Sequence, residues 1–420
     1  MAKQHTHQNN EWCFETQAIH SGFGPDSESG ASKSPIYQST AFCAESAEDL
    51  ENIFKGQSYG FYYSRVSNPT VANLESRVNV LHRGIGTVAV ASGMAAITAM
   101  IFALASAGDH IIVSKSLFGS TYYLIDGLIK NSGISATFVN PTNLSEYVDA
   151  ISEKTRLIFV EALGNPKLDI PDIKSVSALA MSAGIPLVVD NTFVSPYLLD
   201  ARSLGAHVVI NATTKYLCGG NSAVGGTITD LGQFDWRQHR GTPVLEMEKF
   251  GQNAFVAAVK KVRSNSGAAL SPQNAFLTLA GIETLAIRMN QHAKSAQSIA
   301  QYLAAHPKVN DVVYPGLKTH PQYDLGKRQF PNGCGGMMTI RMGNKDNAYR
   351  LIDAFKLIDN SVNLGDSRTL AICPAETIYR HLTPEARESA GVYDDLIRLS
   401  IGLEHITDIL VDFDQALECI

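Results

Sequence analysis

The chain has 420 residues, 45% of them hydrophobic and 18% charged, which is enough for two domains of ordinary size with substantial cores. A formal net charge of -6 and the lack of any run of basic residues argue against general nucleic-acid binding. Six cysteines with no CxxC pair argue against a zinc site and for a reducing compartment.

Residues 1–10 are polar and rich in His, Gln and Asn, without the apolar stretch of a signal peptide. The longest apolar run, 95–107, is too short to span a bilayer and carries Thr98 and Ser106. A cytoplasmic enzyme with no membrane and no metal is the expectation. Residues 1–65 are mixed and turn-rich and read as an N-terminal arm.

From about Val66 short β-branched runs alternate with helical patterning. Strands are predicted at 88–91, 110–114, 136–140, 157–161, 187–190, 208–212 and 226–229. Helices are predicted between most of them, among others at 95–105, 122–130 and 173–183. Such alternation predicts an α/β fold, a mostly parallel sheet covered on both faces, over 66–265. Residues 241–250 read as a loop, and 254–263 and 275–304 as helical. A second αβ pattern follows, with strands at 312–314, 337–341 and 396–401 and an amphipathic 348–357. It predicts a smaller α/β domain over 266–420.

Five groups of residues carry chemistry. Asp190 ends an apolar strand, and a carboxylate buried there is costly without a cationic partner. Ligands of open α/β sheets lie beyond the carboxyl ends of the strands. Asp190 is therefore either a helix cap or a partner for a protonated pyridine nitrogen. Lys215, in Thr213-Thr214-Lys215-Tyr216, follows the next strand. A lysine in that place is either a solvated surface charge or a desolvated nucleophile suited to a Schiff base.

Ser92-Gly93-Met94-Ala95 joins a strand to an Ala-rich helix, whose first N–H groups suit a phosphate. It equally fits a plain strand-to-helix turn. Tyr63 and Arg65, in the run Tyr62–Thr70, can hold an anion or dock on a neighbouring subunit. Arg398, inside an apolar strand, needs either an ion-pair partner or an anionic ligand such as an α-carboxylate. The Gly-rich 219–227 stretch lacks a Walker lysine, and no GxGxxG follows an early strand. His20, His82, His239 and His292 are scattered and read as ordinary histidines.

Together and in this order, these features resemble the Cys/Met-metabolism family of fold-type-I pyridoxal-phosphate enzymes. The resemblance runs from about Glu15 to the end. It is densest over 188–226, VVDNTFVSPYLLDARSLGAHVVINATTKYLCGGNSAVGG, with YSRVSNPT and LIRLSIGLE also specific. Within the family SLFGST, GAALSPQNAF and NLGDSRTL are most similar to O-acylhomoserine sulfhydrylases, and FGST with NLGD leans toward the succinyl ester.

The resemblance implies γ-replacement on O-succinyl- or O-acetylhomoserine by sulfide, giving homocysteine for methionine biosynthesis. A methionine γ-lyase, a cystathionine γ-lyase or γ-synthase, and a regulatory protein that merely binds pyridoxal phosphate are the alternatives. It further implies that Lys215 carries the cofactor, Asp190 meets the pyridine nitrogen, and Phe118 stacks on the ring. Gly93, Met94 and Thr214 would hold the phosphate, with Tyr63 and Arg65 from a neighbouring subunit. Tyr63 would also assist proton movement. Arg398, Asn165 and Asn363 would bind the substrate, and a homo-oligomer, a dimer of dimers, would form.

Several positions depart from the family pattern. Ala212 stands where a phosphate-binding Ser is usual, with Thr213 a candidate substitute; Phe118 stands where Tyr is common. Ala162-Leu163-Gly164, Cys373-Pro374-Ala375-Glu376 and Gly219-Gly220 also differ.

Overall fold

The computed structural model describes residues 12–420, so residues 1–10, read above as polar and without a signal sequence, lie outside the described residues. Seven strands form the larger sheet: β1 Gly86–Val90, β2 His110–Ser114, β3 Ser135–Val139, β4 Thr155–Glu161, β5 Leu187–Asp190, β6 Val208–Asn211 and β7 Gly226–Asp230. Their order is β1-β7-β6-β5-β4-β2-β3. The pairs among β3, β2, β4, β5 and β6 are parallel, while β7 runs antiparallel to both β6 and β1. The chain is thus a mostly parallel seven-stranded α/β fold, as its sequence pattern predicts.

Residues alternate between the two faces of this sheet. Ile112, Ile158, Val160, Val189 and Val209 pack on one side, against Leu74 and Val78 of the Pro69–Leu81 helix and Ile173 and Val176 of the Ile173–Ser182 helix. Val88, Val113, Phe159, Val188 and Ile210 pack on the other, against the helices Gly93–Leu104 and Ala254–Ser266. Burial on both faces explains why these strands read as continuous apolar runs.

A second sheet, order β10-β11-β12-β9-β8, is built from β8 Asp311–Val313, β9 Met337–Arg341, β10 Asp359–Asn360, β11 Leu370–Ile372 and β12 Leu396–Ser400. Its core includes Ile340, Leu351, Ile397, Leu399 and Phe413.

Two readings change. The 275–304 stretch is two helices, Pro272–Ile282 and Leu285–Ala304. At that break the Gly281 Cα sits so close to the loop after β6 that a Cβ would lie 2.1 Å from the Cys218 carbonyl oxygen, a contact no local pattern reveals. The 241–250 loop contains the short helices Thr242–Leu245 and Glu248–Asn253. Among the described residues no helix is long and apolar enough to cross a membrane.

Strand ends meet at one edge. β1, β4, β5 and β6 all finish there, and β7 begins there with Gly226. The approach is close: a Cβ on Gly226 would lie 2.3 Å from the Ser92 carbonyl oxygen, and one on Gly93 2.6 Å from the Ala212 Cβ. Gly226→Ala is therefore expected to destabilise the chain by about 1–3 kcal/mol, measured by urea denaturation, because backbone on both sides blocks relief.

Candidate active site

The edge where those strands end forms the floor of a cavity of about 310 Å³, roofed by the second sheet. Asp190, at the end of β5, and Lys215, just beyond β6, line the floor. Arg398 enters from β12, where it pairs with Thr339 and Ile372 and is 1% exposed. Gly93 and Met94 open the Gly93–Leu104 helix at one end, and Phe118, Asn165, Thr214 and Asn363 also line the cavity.

Neither Asp190, Lys215, Arg398 nor the cavity-lining Glu161 forms an ion pair among the described residues. The structural ion pair weighed for Arg398 is therefore not made. Its guanidinium donates instead to the Val362 carbonyl (2.8 Å), the Asn363 carbonyl (3.4 Å) and Asn165 Oδ1 (3.4 Å). Asp190 Oδ1 accepts the Thr192 N–H, at 2.9 Å. Burial raises the Asp190 carboxyl to about 6, against the pull of the Thr192 hydroxyl and N–H. Burial, then the nearby Arg398 charge, lowers Lys215 to about 8. The Lys215 ammonium donates to Asn363 Oδ1 at 2.6 Å.

At the helix end, the Ser92 hydroxyl accepts the Ala95 N–H at 3.0 Å and caps the helix. The N–H groups of Gly93 and Met94, in the first helical turn, have no intrahelical acceptor. Thr214 Oγ1 bridges to Gly225, accepting its N–H at 3.1 Å and donating to its carbonyl at 3.3 Å.

Thr213 does not take the place of a serine at 212. Its hydroxyl is fully buried without a partner and lies beside Gly225, away from the cavity lining. Ser92, Thr192 and Thr214 are among the residues bearing hydroxyls that line the cavity with Ala212 and Gly93. Tyr63 and Arg65 are also not brought to this cavity. They border a separate open hollow with Phe42, Leu50 and Phe54, where Arg65 lies 5.4 Å from the Tyr63 ring centroid and donates to the Ser264 carbonyl.

Sequence reasoning missed Glu161 and Thr192, and gave Ser92 no separate role within its strand-to-helix segment. Glu161 ends β4 in register with Asp190, and accepts the Phe118 N–H at 2.7 Å. Burial, reinforced by Asp190, raises its carboxyl well above the usual range. Its signal was the one used for Asp190, an acid closing an apolar strand. Thr192 Oγ1 accepts the Ala212 N–H at 2.8 Å, tying the ends of β5 and β6 together. Of the four scattered histidines, His82, His239 and His292 are buried and hydrogen-bonded, to Asn211, the Arg156 carbonyl and the Ile401 carbonyl.

Residues 15–418 match the family model described as Cys/Met metabolism PLP-dependent enzyme. The chain is 37% identical to a homocysteine synthase of Schizosaccharomyces pombe over 96% of this chain and 98% of that protein. It is 36% identical to an L-methionine gamma-lyase of Fusobacterium nucleatum, over 96% and 97%. A Campylobacter jejuni protein solved with N'-pyridoxyl-lysine-5'-monophosphate superposes with a TM-score of 0.90 at 33% identity, covering 97% of this chain and all of that one.

The cavity fits pyridoxal phosphate by its own chemistry. It offers a buried carboxylate without a cation, an amine whose pKa is lowered by burial, and helix N–H groups without acceptors.

A carboxyl raised in the folded state makes the folded chain less stable as pH climbs past the unfolded value, near 4, up to about 6. Asp190→Asn is therefore expected to stabilise the cofactor-free chain by about 1–3 kcal/mol at neutral pH. The gain should vanish near pH 4, as read from denaturation curves at each pH.

Proposed function

Because the chain belongs to the Cys/Met metabolism PLP-dependent enzyme family, we propose that it replaces the γ-acyloxy group of an O-acylhomoserine with sulfide, releasing homocysteine for methionine biosynthesis. When bound, pyridoxal phosphate supplies an aldehyde for the substrate amine and a ring that takes up electron density from the α- and β-carbons. In this reading Lys215 holds the cofactor, and Asp190 faces its ring nitrogen. Phe118 covers the ring, and Gly93, Met94, Ser92 and Thr214 hold the phosphate.

Arg398 and Asn165 bind the substrate α-carboxylate, and Asn363 orients Lys215 beside it. Lys215, lowered by burial to about 8 and so more readily deprotonated than a solvated lysine, takes the α-proton as a neutral amine, passes it on, and as a free amine again takes a β-proton. The acyl group leaves the γ-carbon as a carboxylate. Bisulfide adds in its place, and Lys215 returns the protons.

The observation that carries this choice is Phe118, which lines the cavity and has no hydroxyl. A carboxylate leaving group, with an acid pKa of about 4, departs without being protonated, whereas a thiolate, near 8.5, gains from an acid beside it. An aromatic wall with no proton to give suits an ester better than a thioether. The homocysteine synthase relative supports the same reading, and the methionine gamma-lyase relative keeps a sulfide-independent γ-lyase as the second one. Lys215 and Arg398 are the cations lining the cavity among the described residues, which leaves none for a succinyl carboxylate and favours the acetyl ester.

The same count bears on assembly. With both cations committed, the phosphate has only N–H and hydroxyl donors from its own chain. We propose that Arg65 and Tyr63 of a neighbouring copy complete the site, making a dimer obligatory and a dimer of dimers the expected state. Tyr63, 40% exposed beside the exposed Phe54 and Tyr59, supports a covered surface there. Six free cysteines support a reducing, cytoplasmic setting.

The test is homocysteine formation from O-acetyl- and O-succinylhomoserine with and without sulfide, with methionine and cystathionine in parallel. Sulfide-dependent product, mainly from the acetyl ester, is expected; keto acid from methionine without sulfide, and no sulfhydrylation, overturns the reading. Lys215→Ala is expected to abolish both turnover and the visible absorbance of the lysine-bound cofactor. Arg398→Ala is expected to raise KM for the ester roughly ten- to hundredfold, since a charged hydrogen-bonding partner is lost.

A further inference from the structure

Lys215 is not simply loose in the cavity. Its Nζ donates to Asn363 Oδ1 at 2.6 Å, and Asn363 Nδ2 donates to Asn221 Oδ1 at 3.0 Å. A lysine amine directed at an amide meets its oxygen, so the Asn363 nitrogen must turn outward and find its acceptor elsewhere. Asn221 supplies that acceptor. It does so from a left-handed backbone position, φ 53°, in the Gly219–Ser222 loop that follows Lys215. Asparagine tolerates this conformation, though glycine adopts it at lower cost. The side chain at 221 therefore carries a role that backbone economy alone would leave to glycine.

The two asparagines reach the amine from different parts of the fold. Asn221 sits in the loop after β6, and Asn363 lies between β10 and β11 of the second sheet. That second segment is pressed against the lysine: a Cβ on Gly365, φ 67°, would lie 2.9 Å from the Tyr216 nitrogen. The hydrogen-bonded line Lys215–Asn363–Asn221 thus links the two sheets across the cavity mouth.

We propose that Asn221 is a positioning residue: through Asn363 it docks the free Lys215 amine, aimed into the cavity, whenever the lysine is not covalently engaged. This rests on the reading of Lys215 as the cofactor lysine. In capture, the neutral Nζ gives its lone pair to the aldehyde carbon of pyridoxal phosphate. Its two protons leave with the aldehyde oxygen as water, so no oxidant or reductant is needed. An amine held in one direction reaches that carbon more often than one sampling every rotamer.

The test uses the full chain stripped of cofactor and mixed with pyridoxal phosphate. Borohydride-trapped adduct at Lys215 is followed by mass and absorbance across pH, beside thermal midpoints. For Asn221→Gly, capture roughly two- to tenfold slower is expected, with a thermal midpoint equal to or above the parent's. For Asn221→Asp, which keeps the acceptor and adds a negative charge, the rate at high pH should be restored and the pH profile displaced upward. Unchanged capture in Asn221→Gly overturns the proposal, as does slow capture in both variants with lowered midpoints, which marks a merely structural role. Lys215→Ala separates the two levels: trapped adduct persisting in that variant refutes the cofactor-lysine reading itself, whatever Asn221 does.

Discussion

The structure turns on a set of charges it leaves unanswered. Asp190, Lys215 and Arg398 share one largely desolvated cavity, and none has an opposite charge at ion-pair distance among the described residues. A protein interior tolerates such groups by shifting them toward neutrality, and each moves that way: Asp190 up, Lys215 and Arg398 down. The groups proposed to offset the cost of that burial are those of the ligands: a ring nitrogen for Asp190, an aldehyde for Lys215, a carboxylate for Arg398. In that reading binding offsets part of the desolvation cost of these groups, which couples cofactor and fold.

This arrangement follows from the sheet. Parallel strands must finish at a common edge, and there the backbone passes from a fully apolar environment to a cavity wall within one residue. β4 ends in Glu161, β5 in Asp190 and β6 leads through Ala212 to Lys215, so adjacent strands deliver adjacent functional groups. Glycines at 93 and 226 let the helix start, β7 and Ala212 close up to distances a side chain would forbid. That compaction sets bare N–H groups at one end of the cavity, while Thr192 ties β5 to β6 and fixes the spacing of the acid and the lysine.

Much of this was legible in the sequence because strands buried on both faces leave little else to read. Against the run from Leu187 to Val189, Asp190 stands out; against Leu396 to Leu399, so does Arg398. The structure brings both to the cavity, and the same apolar runs give the fold class. Glu161 obeys the same rule and was passed over, since a strand-ending acid had already been given its role at 190. Thr213 and Thr214 could not be told apart locally: the chain turns after Asn211, ending the two-residue alternation that would have ranked them, and Thr214 is the one that reaches the cavity. The close approach of Gly281, beside the helix break, to the Cys218 carbonyl was hidden because that carbonyl lies in a distant segment. The Asn221–Asn363 contact was hidden for the same reason, being a pairing 142 residues apart.

The pieces also divide the chemistry into two layers with different origins. Groups proposed to meet the cofactor, Asp190, Lys215, Gly93, Met94 and Thr214, all come from the strand edge of the first sheet. Those proposed to meet or steer the substrate, Arg398 and Asn363, come from the second, joined by Asn165 after β4. On the proposed roles Lys215 belongs to both layers, since it would release one partner to work on the other. That is where the two sheets exchange a hydrogen bond, Nζ to Asn363, on the side facing Arg398. In the proposed reading a substrate whose carboxylate engages Arg398 lands beside the amine proposed as its base, because Arg398 donates to the Asn363 carbonyl while Asn363 holds Lys215. Recognition and proton transfer are then parts of one hydrogen-bonded unit, and a change in either sheet's position alters both together.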